Sequence, residues 1–116
     1  MDEGNDPGFV VEVQPADAGR LLVTLTGVVD YANLEDFRQR MLNDLGRDSK
    51  LTVDLSGVEF IDSSGLGVLV ATFKQRQAVP DGFKVVGARP IVQRVLEASG
   101  LDVLFDSTPG PIDAAS

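Results

Sequence analysis

Hydrophobic and polar positions alternate over two short stretches near the start of the chain and then change to a helical spacing. The alternation covers residues 9–14 and 21–26, and the short connection between them predicts an antiparallel β-hairpin. Apolar residues then recur every three or four positions, at Leu34, Phe37, Met41 and Leu45. This spacing predicts a helix with one buried face.

Short apolar runs and helical stripes alternate through the rest of the chain. Apolar runs predict strands at 51–55, 83–86 and 103–105, and helical stripes predict helices over about 63–79 and 90–100. The predicted element order is β-β-α-β-α-β-α-β, which is typical of the α/β class. Alternation of strands with helices implies parallel neighbours joined by right-handed crossovers, and the opening hairpin makes the sheet mixed. We therefore expect one α/β domain with a mixed, mostly parallel sheet and helices packed on it.

The two ends of the chain lack these patterns. Residues 1–8 are acidic and contain glycine and proline, and residues 107–116 contain two prolines and few apolar groups. Such segments are typical of flexible tails, so the domain is expected to span residues 9–106. No apolar run is long enough to predict a transmembrane helix, and no secretory signal is evident. We therefore expect a cytoplasmic location.

The composition excludes several kinds of chemistry. The chain has no cysteine and no histidine, which removes disulfides, thiolate metal sites and the Ser-His-Asp triad. We expect no catalytic residue, no metal and no cofactor. A net charge of −8 disfavours direct binding of nucleic acid or of an anionic membrane. The same charge would attract a partner protein with a basic face, although solubility alone also explains it.

Residues 60–67 stand where a predicted strand gives way to a predicted helix, and they read Phe-Ile-Asp-Ser-Ser-Gly-Leu-Gly. A helix N-terminus exposes unpaired backbone N–H groups and a partial positive charge, which suits an anion. The residues alone leave three interpretations open. Ser63 or Ser64 caps the helix, the loop cradles the phosphate of a ligand, or one serine carries a regulatory phosphate. The lysine of a P-loop is missing, which counts against the second interpretation.

Four stretches of the chain match a pattern found in one protein family. They are Gly27-x-x-Asp30, the run from Asp54 to Gly67, the Asp81-Gly82 turn, and Pro90-x-Val92-x-x-Val95-Leu96-x-x-Ser99-Gly100-Leu101. On these residues the chain resembles the STAS domains of bacterial anti-sigma-factor antagonists, which regulate transcription in sporulation and stress responses. The resemblance implies a protein without catalysis of its own. Its unphosphorylated form would bind an anti-sigma factor that is also a serine-protein kinase, and so release the sigma factor. A PP2C-type phosphatase would reverse the phosphorylation.

The resemblance also implies roles for individual residues. Ser63 takes the position of the phosphorylated serine, and Ser64 is the second choice. The implied partner-binding surface comprises Asp30, Asp62, Ser63, Ser64, Gly65, Leu66 and Gly67. Leu66 is expected either to pack inward or to form an apolar rim around the site. Val28 departs from the family pattern, which often has glutamate at this position.

A second function is compatible with the same fold. STAS-like domains also serve as scaffolds or as accessory subunits of transporters, without a phosphorylation switch. In that case Ser63 and Ser64 would only cap the helix. The complete Asp-Ser-Ser-Gly-Leu-Gly run favours the antagonist. The expected oligomeric state is a monomer or a weak dimer.

Overall fold

The computed structural model of the protein describes residues 8–110, so most of the two predicted tails, residues 1–7 and 111–116, lies outside the described residues. Within this range the chain forms five strands, four α-helices and two short 3₁₀ turns. The strands are β1 (Phe9–Pro15), β2 (Arg20–Val29), β3 (Lys50–Ile61), β4 (Phe83–Ala88) and β5 (Thr108–Pro109). The α-helices are α1 (Leu34–Leu42), α2 (Ser63–Gln75), α3 (Pro90–Ala98) and α4 (Leu101–Leu104), and the 3₁₀ turns are Asp17–Gly19 and Tyr31–Asn33.

The five strands form one sheet in the order β1-β2-β3-β4-β5. β1 and β2 pair antiparallel and the other neighbours pair parallel, which confirms the predicted hairpin and mixed sheet. Because the strand order advances in one direction, right-handed crossovers bring the connecting helices to one face of the sheet. Val53 and Val85 on that face are fully buried, whereas Thr52 and Lys84 on the opposite face are only half-buried. We call this opposite face the open face.

β3 is longer than the sequence predicts. It continues past Leu55 to Ile61 through two irregularities in its pairing with β2. Gly57 permits the first of them, because a Cβ at this position would lie 2.5 Å from Thr26 Cγ2. Such bulges insert extra residues without ending the strand. The extension carries the chain to the edge of the sheet, so that Asp62 follows the strand directly.

The predicted strand at 103–105 is wrong. Gly100 turns the chain in a left-handed conformation (φ 74°), and Leu101–Leu104 form the short helix α4 instead. Phe105 then enters the core, where its ring centroid lies 5.2 and 6.0 Å from those of two other phenylalanines. The last strand is Thr108–Pro109, inside the segment predicted to be a tail. An apolar run of this length is too short to distinguish a strand from a helix by its pattern.

Arg76 ends α2 earlier than the sequence predicts and holds the loop between α1 and β3. Only 2% of its surface is exposed. Its Nε donates to Ser49 O (2.9 Å), and one of its terminal nitrogens donates to Gly46 O. Burial lowers the pKa of Arg76, although a guanidinium stays protonated in proteins. In the folded domain, backbone carbonyls therefore take the place of water as hydrogen-bond acceptors for the guanidinium.

The parallel strands β2, β3 and β4 end at the same edge of the sheet, which we call the carboxyl edge. The segments that follow them are the 3₁₀ turn Tyr31–Asn33, the start of α2 and the start of α3. A hydrogen bond from Asp62 N–H to Val29 O (3.1 Å) joins the ends of β2 and β3. Since β1 is antiparallel to β2, it begins at this edge. In open α/β sheets, functional groups commonly collect there.

Candidate functional site at the carboxyl edge

Asp62 is the N-cap of α2 and connects two segments of the carboxyl edge. Its Oδ1 accepts hydrogen bonds from Gly65 N–H (3.0 Å) and from the Ser64 hydroxyl (2.6 Å). Its Oδ2 accepts a hydrogen bond from Tyr31 N–H (3.1 Å). One carboxylate thereby satisfies donors at the start of α2 and of the 3₁₀ turn. The interpretation that Ser63 or Ser64 caps the helix is wrong, because the preceding aspartate holds that position.

The hydrogen bonds keep Asp62 in its ionised form. The Ser64 hydroxyl, followed by Gly65 N–H, lowers the pKa of Asp62. The backbone N–H groups of Tyr31 and Ser64 lower it further, while partial burial opposes them. Both carboxylate oxygens already accept hydrogen bonds, so Asp62 is poorly placed to take a proton from Ser63. It supplies a fixed negative charge beside that serine.

The two serines have different environments. Ser63 is the first residue of α2 and is exposed, and no hydrogen bond from its hydroxyl is found within residues 8–110. Ser64 is half-buried and donates its hydroxyl to Asp62. A modifying enzyme can reach the Ser63 hydroxyl without breaking a contact, whereas modification of Ser64 would disrupt the cap. The contrast favours Ser63 as the reactive residue.

Asp30 lies on the same edge and caps the 3₁₀ turn. Its Oδ1 accepts a hydrogen bond from Ala32 N–H (3.0 Å), and the Asn33 side chain accepts one from Asp30 N–H (2.9 Å). The Asp30 side chain also accepts a hydrogen bond from the Asn33 backbone N–H, and this bond and the one to the Asn33 side chain form a capping box. Asp62 accepts a hydrogen bond from Tyr31, the first residue of the same turn. The turn is therefore held by two carboxylates, and both add negative charge to the carboxyl edge.

The two glycines of α2 have different surroundings. Gly65 is buried, and a Cβ at this position would lie 2.7 Å from Ile61 Cγ1 and 2.8 Å from Val29 Cγ1. Gly67 is exposed, and a Cβ there would meet nothing within 4 Å. Leu66 has only 6% of its surface exposed, so it packs inward and forms no apolar rim. Gly65 thus permits close packing of α2 on the strand ends, whereas Gly67 leaves open surface.

The sequence analysis does not single out two exposed aromatic residues at the carboxyl edge. Tyr31 is 81% exposed and Phe60 is 46% exposed. A signal for Phe60 exists in the sequence, because adjacent residues of a strand face opposite sides and only one of Phe60 and Ile61 can enter the core. Ile61 is the buried one. The exposure of Tyr31 depends on the 3₁₀ turn and has no comparable signal.

The arrangement can accept a phosphoryl group, because an exposed hydroxyl stands at a helix N-terminus, where an anion is stabilised. Within residues 8–110, no group of three or more His, Cys, Asp or Glu side chains is arranged to hold a metal ion. None of the helices in the described part of the chain is long and apolar enough to cross a membrane.

The chain is similar to known proteins along most of its length. A family model of the STAS domain matches residues 9–114. The anti-sigma F factor antagonist of Paenibacillus polymyxa is 32% identical over 85 residues, which cover 72% of this chain and 73% of that protein. The crystal structure of an anti-sigma factor antagonist from Mycobacterium paratuberculosis has a TM-score of 0.78 at 31% identity. That alignment covers 88% of this chain and 86% of the other.

Two solved structures of SpoIIAA have a similar fold at lower identity. The anti-sigma factor antagonist SpoIIAA in its unphosphorylated form gives a TM-score of 0.71 at 18% identity, over 88% of this chain and 89% of that one. The Bacillus cell fate determinant SpoIIAA in the phosphorylated form gives a TM-score of 0.66 at 17% identity, over 88% of this chain and 92% of that one. At this identity the similarity concerns the fold alone. The STAS family model, which spans nearly the whole chain, and the relative that is 32% identical establish that the chain belongs to the STAS domain family.

Proposed function

We propose that the chain is an anti-sigma factor antagonist that is switched by phosphorylation of Ser63. The observation that carries the proposal is the exposed Ser63 hydroxyl at the start of α2, beside the ionised Asp62. Relatives named anti-sigma factor antagonists support the general function. SpoIIAA, whose fold is similar, has been solved in an unphosphorylated and a phosphorylated form, which supports the switch.

The proposed switch is electrostatic and local. A phosphoserine carries about −1.5 to −2 charges near pH 7, and at position 63 this charge would add to those of Asp62 and Asp30. The helix N-terminus tolerates a phosphate in the isolated domain. In a complex, however, the same charge would be desolvated against the partner. A tenfold loss of affinity requires only about 1.4 kcal/mol, and an unpaired buried charge costs about 3–5 kcal/mol.

The partners follow from the same proposal. The unphosphorylated chain binds an anti-sigma factor that is also a serine-protein kinase, and a PP2C-type phosphatase restores this form. The net charge of −8 favours a partner with a basic face. The proposed contact surface contains Asp30, Asp62, Ser63, Ser64 and Gly67, while Gly65 and Leu66 support it from inside the domain. The protein would act in the cytoplasm, as a monomer or a weak dimer.

Affinity capture from a lysate of the cells that encode the chain tests the switch. The baits are wild type, Ser63→Glu and Ser63→Ala, with mass spectrometry as the readout. Ser63→Ala is the matched control, because it removes the hydroxyl without adding charge. We expect wild type and Ser63→Ala to retain an ATP-binding serine kinase. The amount of this kinase captured by Ser63→Glu should be at least tenfold lower. Incubation of the retained kinase with the chain and ATP should then place the phosphate on Ser63 and not on Ser64.

Thermal unfolding is the control for the baits, and the three proteins should have nearly the same Tm because Ser63 lies outside the Asp62 hydrogen bonds. Retention of the same proteins by all three baits would contradict the switch. A transporter protein among them would favour the accessory-subunit function.

A further inference from the structure

Exposed apolar side chains are concentrated at the carboxyl edge, where Ser63 lies. Seven large hydrophobic residues of the described chain are exposed, and four of them belong to this edge. They are Val10 (54% exposed) near the start of β1, Tyr31 (81%) after β2, Phe60 (46%) at the end of β3 and Ile91 (52%) at the start of α3. Exposed apolar groups beside a binding site supply surface that a partner protein can bury.

Phe60 and Val28 are apolar residues of the open face at the carboxyl ends of β3 and β2. The two residues are register partners in β3 and β2. The residues that follow them, Val29 and Ile61, are buried under the helices, so Phe60 and Val28 face the opposite way. No helix of residues 8–110 is placed over this face by the crossovers. Phe60 is therefore an aromatic residue with an uncovered surface next to the Asp62 cap.

Tyr31 is tied to the same loop by its backbone. Its N–H donates to Asp62 Oδ2 (3.1 Å), which joins this residue to the start of α2. The capping box of Asp30 and Asn33 holds the turn around it. A side chain on such a preorganised turn requires little ordering of the backbone when it binds. Tyr31 thus combines an exposed ring with a fixed position.

We propose that Phe60 and Tyr31 are the apolar anchors through which the chain binds its anti-sigma factor. The inference rests on the proposed function and deepens it. Aromatic residues often dominate protein interfaces, because each buries a large area with few rotatable bonds. The carboxylates of Asp30, Glu59 and Asp62 belong to the same edge. The complementary surface of the anti-sigma factor therefore has an apolar centre and a basic rim. A phosphate on Ser63 would be carried into this water-excluded contact.

The test compares the affinities of Phe60→Ala and Tyr31→Ala for the purified anti-sigma factor that the wild-type chain retains, by titration calorimetry. Val103→Ala is the matched control, because Val103 is an apolar residue 82% exposed on α4, outside the carboxyl edge. We expect Phe60→Ala and Tyr31→Ala each to weaken binding at least tenfold, and Val103→Ala to change it less than twofold. Circular dichroism and thermal unfolding check that each variant is folded.

A second measurement keeps an aromatic ring at the tested position. A photoreactive Phe60→p-benzoylphenylalanine chain should form a covalent adduct with the anti-sigma factor on illumination, whereas the same residue in place of Val103 should not. Affinities of Phe60→Ala and Tyr31→Ala within twofold of wild type, or equal cross-linking from both positions, would overturn the inference.

The Ser63→Glu variant separates the two levels of the proposal. If it loses binding while Phe60→Ala and Tyr31→Ala bind normally, the proposed function stands and only the anchors are wrong. If Ser63→Glu also binds normally, or if wild type retains no anti-sigma factor, the proposed function fails and the anchors fail with it.

Discussion

Replacement of Gly65 or Gly67 by alanine should change the stability of the domain in opposite directions. At Gly65 the new Cβ would lie 2.7 and 2.8 Å from the buried side chains of Ile61 and Val29, so the start of α2 must shift. Overpacking of this kind costs about 1–3 kcal/mol. Alanine returns up to about 1 kcal/mol through its higher helix propensity. We therefore expect a net loss of about 1–2 kcal/mol in the free energy of unfolding.

At Gly67 the effect of alanine on helix propensity can be measured without overpacking, because a Cβ there would meet nothing within 4 Å. Gly67→Ala should therefore stabilise the domain by about 0.5–1 kcal/mol. Urea denaturation of wild type and both variants, followed by circular dichroism, measures the two effects on one helix. A difference of about 2 kcal/mol corresponds to roughly 8–16 °C in Tm for a domain of this size. If Gly65→Ala is as stable as Gly67→Ala, the close packing of α2 on the strand ends is refuted.

The Asp62 cap, the buried Arg76 and the open surface at Gly67 each give a further prediction. The folded state holds the pKa of Asp62 below its unfolded value, so the ionised carboxylate stabilises the fold above that value, and the gain is lost as the pH falls through the folded pKa. In urea titrations from pH 7 to pH 3, wild type should be more stable than Asp62→Asn near neutrality. The difference in their free energies of unfolding should shrink below about pH 4, and a difference that stays constant with pH would contradict this. Arg76→Met should cost about 2 kcal/mol or more, because it removes the hydrogen bonds of the buried guanidinium to Ser49 O and Gly46 O. In contrast, Lys74→Met on the exposed side of α2 should change the free energy of unfolding by less than about 0.5 kcal/mol. Gly67→Ala should weaken binding of the anti-sigma factor in calorimetry although it stabilises the domain, and unchanged affinity would remove Gly67 from the contact surface.

The hairpin and the three longer helices could be predicted because their patterns extend over many residues. The C-terminal part could not. Residues 101–105 carry a short apolar run that suits either a strand or a helix, and the left-handed Gly100 and the aromatic partners of Phe105 decide between them. Thr108–Pro109 has no apolar pattern at all, and only its pairing with β4 makes it a strand. In this C-terminal part, contacts between residues distant in the sequence therefore determine which segments form helix and which form strand.

The site could be located from the sequence but not arranged. The run of residues 60–67 pointed to the connection between β3 and α2 as the candidate site, yet the pattern alone ended the strand at Leu55. Two bulges lengthen β3 to Ile61, and this places Asp62, and not a serine, at the cap. The same bulges turn Val58 inward, whereas Phe60 stays on the side of Thr52 and Asp54 because the two insertions together restore the alternation. Bulges depend on the neighbouring strand, so a single strand's sequence does not reveal them.

The position of Ser63 outside the Asp62 hydrogen bonds has a consequence for signalling. In the proposed switch, a phosphate would be added there without a change of fold, so no part of the free energy of phosphoryl transfer would be spent on refolding. Each molecule would then respond independently of the others. The amount of binding-competent protein would fall in direct proportion to the phosphorylated fraction, as a graded response with a Hill coefficient of about 1 for a single site. Any sharp threshold in the output would have to arise from the competition between kinase, phosphatase and sigma factor, and not within this domain.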